Sequence, residues 1–321
     1  MNTKSKSELK RLEDAARAGW LYYVGKNTQD EIAQKLNVSR QSAQRLVALA
    51  VSDGLIKVRL DHPIAQCMDL AERLKSKFDL IDCEIVPSDP ADPSAITGLA
   101  QRGARVLEQY LKSDTPQTLA FGTGRALKAC IDELPSLKCP QHKIVSLLGN
   151  IMSDGSASPF DIVVSMAERV KAKHYPMLLP VLTSTAEEKL LFHSLQPVKS
   201  ILSLVKQADV TFVGIGHMGD KPPLLVDGFI NQQQLDELHI QGAAGEVISW
   251  VYDKNGQLLN NNINDRVASA PLIQNSTKPV YGIAAGETKV SAIHAALKGK
   301  LINSLITNEH TAELILEHIK T

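Results

Sequence analysis

The sequence has few cysteines, no long apolar run and, before Pro63, no proline at all. The four cysteines, Cys67, Cys83, Cys130 and Cys139, show no C-x-x-C spacing and no histidines at metal-ligand intervals. They read as buried reduced thiols, and no metal site is expected. No stretch approaches the roughly 20 apolar residues that span a bilayer, and the opening MNTKSKSELKRLED lacks the apolar centre of a signal peptide. The expectation is a cytoplasmic chain with no membrane partner. Charge of neither sign is in excess, 35 Lys+Arg balancing 35 Asp+Glu, yet residues 1–60 hold 11 of the basic residues against 6 of the acidic ones. A basic arm on a net-acidic remainder is the electrostatic footprint of a nucleic-acid-binding module joined to a domain with another task. A chain of 321 residues also favours two or more domains. The first prolines mark the boundary, at Asp61-His62-Pro63, because proline stiffens a linker and bars helix entry from the preceding residue.

Within the basic arm, TQDEIAQKLNVSRQSAQRLVALA (residues 28–50) dictates a shape. Thr28 and Glu31 have capping-box spacing, so a helix opens at Gln29 with Ile32, Ala33 and Leu36 on one face. Asn37-Val38 interrupts it and Ser39 caps a second helix. There Ala43, Leu46, Val47 and Ala50 recur at helical spacing and face inward, which leaves Arg40, Gln41, Ser42, Gln44 and Arg45 on the outer face. Arginine pairs with guanine and glutamine with adenine, so these residues, with Gln29 and Ser39, suit the major groove of DNA. A solvated outer face is the bland alternative. Glu13 to Val24, with Ala15, Ala16, Trp20, Leu21 and Tyr23, supplies a first helix, and the dozen residues before it are expected to fray or to order on docking. After the second helix, Asp53-Gly54 is a turn signal, and Ile56, Val58 and Leu60 alternate with Lys57 and Arg59. This predicts a short basic wing that lays Lys57 and Arg59 near phosphates.

Beyond Leu80 the pattern changes to alternation. β-rich runs at Ile81–Val86, Thr118–Phe121, Lys143–Leu148, Val210–Ile215, Val280–Ala284 and Leu301–Thr307 are separated by helical patterns such as Ala95–Leu111, Ile162–Ala172 and Val290–Leu297. Such alternation implies right-handed βαβ units and a parallel sheet covered on both faces. Glu246–Tyr252, a turn at Lys254-Asn255-Gly256, and Leu258-Leu259 read as a hairpin. In such sheets ligands bind at the carboxyl ends of the strands. Gly122-Thr123-Gly124-Arg125 follows one strand and opens a helix, a fit for an anion or simply a tight turn. It has neither the third glycine of a dinucleotide fingerprint nor a Walker lysine, so no nucleotide cofactor is expected. Gly149 to Ser156, with Asn150, Asp154 and Gly155, is a loop whose hydroxyls and amides suit a polyol. His217, in the glycine-rich loop at 214–219, reads as a structural or binding residue sooner than an acid or base. Gly245-Glu246 places a carboxylate at a strand start. Lys289 sits against the dipole preference in a helix's first turn, which is reasonable if an anion or Glu246 lies before it and is otherwise a solvated lysine.

These residues resemble the SorC family of bacterial transcriptional regulators, the DeoR-like sugar-binding type, over nearly the whole chain. The resemblance is carried by Trp20-Leu21-Tyr22-Tyr23 with the TQDEIAQKLNVSRQSAQRL that follows, by GTGRAL, VGIG at Val213–Gly216, GAAGE, Asn264-Asp265-Arg266-Val267, and the terminal AAGETKVSAIHAALKGKLINSLITNEHTAELIL. It implies a (winged) helix-turn-helix over residues 1–60 and, over 61–321, a doubly wound α/β effector and oligomerisation domain resembling sugar-phosphate isomerases and deaminases. It further implies a homodimer or homotetramer on double-stranded operator DNA, governed by a sugar, a polyol or their phosphates. By position it assigns GTGR and the Gly149–Gly155 loop to the effector rim, with Glu246 and Lys289 as polar contacts. The chain departs from the family at Asn150 and Ala285, where glycine is common, and at Asn308, where aspartate is. A sugar-phosphate isomerase or deaminase with a basic accessory domain is the rival, disfavoured by the helix-turn-helix and by the absence of a paired acid and base around a nucleophile.

Overall fold

The computed structural model describes residues 6–57, 64–92, 95–152, 155–158 and 162–318. It divides into two compact units, Met1–His62 and Pro63–Thr321.

In the first unit, α1 (Lys6–Tyr23) packs on a helix-turn-helix of α2 (Gln29–Leu36) and α3 (Arg40–Ser52). Ala18, Ile32, Ala33, Ala43 and Val47 form its core. Gly19 permits the close approach of α1 to α3, since a Cβ there would lie 2.7 Å from that of Ala50 and 2.5 Å from Ile56 Cδ1. Two expectations are corrected. The first helix starts at Lys6, seven residues before Glu13, and its inward face is Ala15, Ala18 and Gly19, whereas Trp20 and Tyr23 point to solvent. Helical period cannot choose between two apolar stripes on one helix, and here the small-residue stripe wins because it lets the backbones close up. The wing is not formed by residues 51–57: Val51 and Ser52 extend α3, and Asp53-Gly54 ends that helix, with Gly54 at φ 67°. Val58, Arg59 and Leu60 lie outside the described residues.

The second unit opens with α4 (Ala65–Phe78) and β1 (Asp82–Val86), followed by α5 (Thr97–Leu111), β2 (Thr118–Phe121), α6 (Arg125–Glu133) and β3 (Lys143–Ile151). Then come α7 (Val163–Val170), β4 (Lys173–Pro180), α8 (Ala186–Ser194), α9 (Gln196–Lys206), β5 (Val210–Gly214) and β6 (Gly216–His217). The chain continues through α10 (Pro223–Val226), α11 (Gln232–Ile240), β7 (Ala243–Val247), β8 (Trp250–Asp253) and α12 (Asn262–Arg266). It closes with β9 (Val280–Ile283), a 3₁₀ turn at Glu287–Lys289, α13 (Val290–Lys298), β10 (Ser304–Asn308) and α14 (Glu309–His318). Among the described residues, seven strands form a parallel sheet in the order β1-β10-β9-β5-β2-β3-β4, and β6-β7-β8 form an antiparallel annex.

Successive residues of the central strands enter two cores. Leu119 and Phe121 of β2 join α5, α6 and α7 on one face, and Ala120 joins the core built with α4, α9, α13 and α14 on the other. The sheet is thus doubly wound, and its strand order reverses between β2 and β5.

Local departures from expectation have local causes. The edge strand β4 has no clear sequence signal, because Pro176 and Pro180 break its pattern, and an edge is where a sheet tolerates proline. The strand ending at Leu148 runs on to Ile151, so Gly149 and Asn150 belong to β3 and not to a loop. The turn expected at Lys254-Asn255-Gly256 forms, setting Leu258 antiparallel to Tyr252, and a further turn at Ile248-Ser249, both at positive φ (46° and 69°), precedes it. Glu246–Tyr252 is therefore two strands, and Glu246 lies within β7 and not at its start. A β-branched residue at positive φ is disfavoured, which hid the turn from a reading based on turn-forming residues.

Candidate functional site

The caps of the helix-turn-helix form as the spacing requires. The Thr28 amide donates to Glu31 Oε2 (2.7 Å) while the Glu31 amide donates to Thr28 Oγ1 (3.3 Å). Asn37 ends α2 in the left-handed region, and Ser39 Oγ accepts from the Ser42 amide (3.2 Å). This places Ser39, Arg40, Gln41, Gln44 and Arg45 in solvent on the N-terminal half of α3, with Ser42 half-buried beside them and Gln29 half-buried at the first turn of α2. Arg40 Nε lies 3.4 Å from Asp30 Oδ1, with both side chains more than half exposed, a weak tether that a phosphate or base can displace. Lys57 is exposed, five residues beyond the end of α3.

In the second unit a cavity of about 500 Å³ opens at the carboxyl ends of β2, β5 and β9, beside the strand-order reversal. Glycine makes it possible there. Gly124, at φ 128°, caps α6, and a Cβ on Gly214 would lie 2.7 Å from Thr123 O, so the loops after β2 and β5 abut backbone to backbone. Gly149 serves the same end in β3, since a Cβ would fall 2.2 Å from Leu179 O and 2.5 Å from Pro180 O of β4. The annex roofs this opening, and the Tyr252 hydroxyl ties it to α13 by donating to Ala292 O (3.1 Å).

The charged lining is graded in exposure, with Arg125 and Lys221 open to solvent and Glu246 and Lys289 half-buried. Glu246 Oε2 accepts from the Ser249 amide (2.8 Å), and a Cβ on Gly216 would lie 2.1 Å from its Oε1. Burial pushes the Glu246 carboxyl above the usual carboxylate range, opposed by the Ser249 amide and the charge of Lys289. Burial lowers the Lys289 ammonium, the field of Glu246 raises it, and Arg125 lowers it again. The two sites brought together are 43 positions apart in the chain. His217 is held below its ordinary value by burial and then by Lys289. Its Nδ1 accepts from the Gly219 amide (3.2 Å), which assigns the proton of the neutral ring to Nε2. Arg125 Nη2 pairs with Asp227 Oδ1 at 3.1 Å. Arg125, Lys221 and Lys289 against Asp227 and Glu246 leave the lining with one positive charge in excess.

Gly122, Thr123, Gly124, Arg125, Gly149, Asn150, Glu246 and Lys289 therefore all line one cavity. Gly155 does not: it sits in an exposed turn at φ 84°, its amide donating to Met152 O (3.0 Å), because the extension of β3 carries it past the rim. Asp154 lies outside the described residues. Sequence reasoning missed Lys221, Asp227, Phe229 and Ser249, which the segment around α10 and the hairpin turn bring to the lining. No motif announces them, and the apolar PPLLVDGF stretch reads as an ordinary connection. Elsewhere the four cysteines are buried free thiols, and burial pushes Cys83 and Cys130 up to about 12. No described helix is long and apolar enough to cross a membrane.

Comparison with known proteins gives a consistent picture. The family model described as "Putative sugar-binding domain" matches residues 62–317. The erythritol catabolism regulatory protein EryD of Brucella abortus is 30% identical over 302 residues, spanning 94% of this chain and 96% of that protein. The sorbitol operon regulator of Klebsiella pneumoniae is 28% identical over 303 residues, 92% of this chain and 95% of its own. The crystal structure of full-length SorC from Klebsiella pneumoniae superposes with a TM-score of 0.70 at 26% identity, over 96% of this chain and 99% of that one. These relatives are named as regulators and not as enzymes.

Proposed function

The chain belongs to the SorC family of transcriptional regulators, and from that premise we propose how its parts divide the work. The first unit binds double-stranded operator DNA through the N-terminal half of α3, with Arg40, Gln41, Gln44 and Arg45 toward base edges and Gln29, Ser39, Ser42 and Lys57 toward phosphates. The second unit binds a small carbohydrate, a sugar, a polyol or a phosphate ester of one, in the cavity at the strand-order reversal. The regulator works in the cytoplasm as a homodimer or homotetramer. Effector binding biases the assembly between arrangements that do and do not fit operator spacing, to the extent that the effector prefers one of them.

The observation that carries the effector reading is the convergence of GTGR, Glu246 and Lys289 on one cavity. The α6 N-terminus with Arg125 supplies an anion-binding end. Glu246, Asn150 and the Nε2 proton of His217 supply acceptors and donors for hydroxyls. A volume of about 500 Å³ suits a ligand of a few carbons with its phosphate. The polyol names of the two relatives support the same class. The test is thermal stability of the purified chain against sugars, polyols and their phosphates, since a ligand that binds only the folded state raises stability as RT ln(1 + [L]/Kd). A selective shift that is lost in Arg125→Ala and Lys289→Ala is expected. A shift that survives both substitutions overturns the assignment of the cavity.

A further inference from the structure

The first helix carries an apolar stripe that its own unit leaves uncovered. Leu9, Leu12, Ala16, Trp20 and Tyr23 follow one another at steps of three, four, four and three, so they fall within about 80° of the helix circumference. They lie away from the Ala15, Ala18 and Gly19 face that packs on α3. Leu9 is 55% exposed, Trp20 56% and Tyr23 39%, while Leu12 and Ala16 are half-exposed. The stripe runs about 21 Å along the helix. Large aromatic and aliphatic side chains aligned in this way are the anchors of a protein interface, not of a solvated face.

We infer that this stripe is a self-association seam, on which the α1 of a second copy of this chain lies antiparallel about a two-fold axis at Ala16. Three features select a second copy. A two-fold at Ala16 puts the smallest residue of the stripe on the axis, where the helices come closest, and sets Leu12 against Trp20 and Leu9 against Tyr23 of the other copy. The flanks are self-complementary: Glu13 and Arg17, now paired within one helix at 2.7 Å, lie on the same edge of the stripe. The two-fold brings each Glu13 within about 3 Å of axial rise of the other copy's Arg17. Finally, α1 mixes both signs, Glu8, Glu13 and Asp14 against Lys6, Lys10, Arg11 and Arg17, so two copies meet there with less repulsion than α3, whose charges are all basic, would impose. A single helix pair covers less than the roughly 800 Å² per partner of a stable interface. The seam thus pairs DNA-binding units within a larger assembly and does not hold the assembly alone.

This inference rests on the self-association proposed above, and the two are separable. Sedimentation of the wild-type full chain tests association itself. Single cysteines are then introduced into the full chain as Ala16→Cys, Leu9→Cys and Asp53→Cys and oxidised mildly, with the wild type, whose native thiols are buried, as background. Antiparallel pairing places the two copies of position 16 side by side and those of position 9 about 21 Å apart. The expected result is a disulfide-linked dimer at position 16, at least tenfold over positions 9 and 53. Comparable cross-linking at position 9, or none at position 16 in a chain that sediments as an oligomer, overturns the seam. The second result covers the case in which the stripe is occupied by another part of the same chain. A monomeric wild type overturns the association on which the seam depends.

Discussion

Asn264 offers the sharpest test of how the cavity's roof is held. The residue is 4% exposed, and its side chain reproduces the pairing of a missing strand. Oδ1 accepts from the Val251 amide (2.9 Å), and Nδ2 donates to Val251 O (2.8 Å) and Leu259 O (2.7 Å). These bonds fix β8 of the hairpin whose other strand carries Glu246. In Asn264→Ala the three backbone groups do not suffer equally. Val251 O keeps the Leu259 amide at 3.0 Å, and Leu259, half-exposed, can hydrate its carbonyl. The Val251 amide, on a fully buried residue, is left without its acceptor. An orphaned buried amide costs about 1–3 kcal/mol, and with the void and the weakened carbonyls the expected loss is about 3 kcal/mol. For a unit of this size that lowers the melting temperature by about 9 °C, read by circular dichroism of the full chain. A drop below about 3 °C refutes the reasoning. Asn264→Asp refines it, because the introduced carboxyl meets two carbonyls unless it is protonated. Its folded-state pKa is therefore raised, so that variant is most stable below about pH 4 and weakens as pH rises through the folded value, whereas the alanine variant shows no such slope.

Three further outcomes are expected. Replacing Arg40 and Arg45 together by alanine removes two guanidiniums from the outer face of α3 and should cost about 2–6 kcal/mol of operator affinity, with little loss of non-specific binding. Fluorescence anisotropy at several salt concentrations measures it, and an unchanged ratio of specific to non-specific binding counts against the helix assignment. Glu246 is half-buried and its carboxyl is raised from the ordinary 4.5 by burial. Its contribution to stability is therefore full below pH 4.5 and is lost as pH rises through the folded value. Glu246→Gln should remove that slope, gaining on the wild type as pH rises while its effector-induced thermal shift falls, and parallel pH profiles would show that the burial argument is wrong. Gly149→Ala drives a methyl to 2.2 Å from Leu179 O, against backbone that cannot rotate away. A loss of about 3 kcal/mol is expected, and an unaltered urea midpoint would mean that β3 and β4 have room to part.

Short-range signals were sufficient for much of this protein. Thr28 with Glu31, and Ser39 before Arg40, specify both helix starts, because a cap is settled by atoms within one turn of the chain. The apolar runs that became β1, β2, β3, β5, β9 and β10 announce a parallel sheet, since strands buried on both faces need continuous apolar sequence. Glycine at position 149 marks a place where backbones must touch, and glycine at position 124 one where the chain needs positive φ. Tertiary structure decided the rest. It chose the small-residue face of α1 as the inner one and left Trp20 outside, a choice that depends on what α3 offers. It forced Ile248 and Ser249 into a positive-φ turn, which no intrinsic preference suggests and which the packing of β7 on β8 imposes. Above all it set Lys289 before Glu246, and Asp227 on Arg125, across separations of 43 and 102 positions. Caps and periods are local energies that the sequence alone carries. Those pairings exist because the sheet order reverses between β2 and β5, and strand order is a property of the whole packed chain.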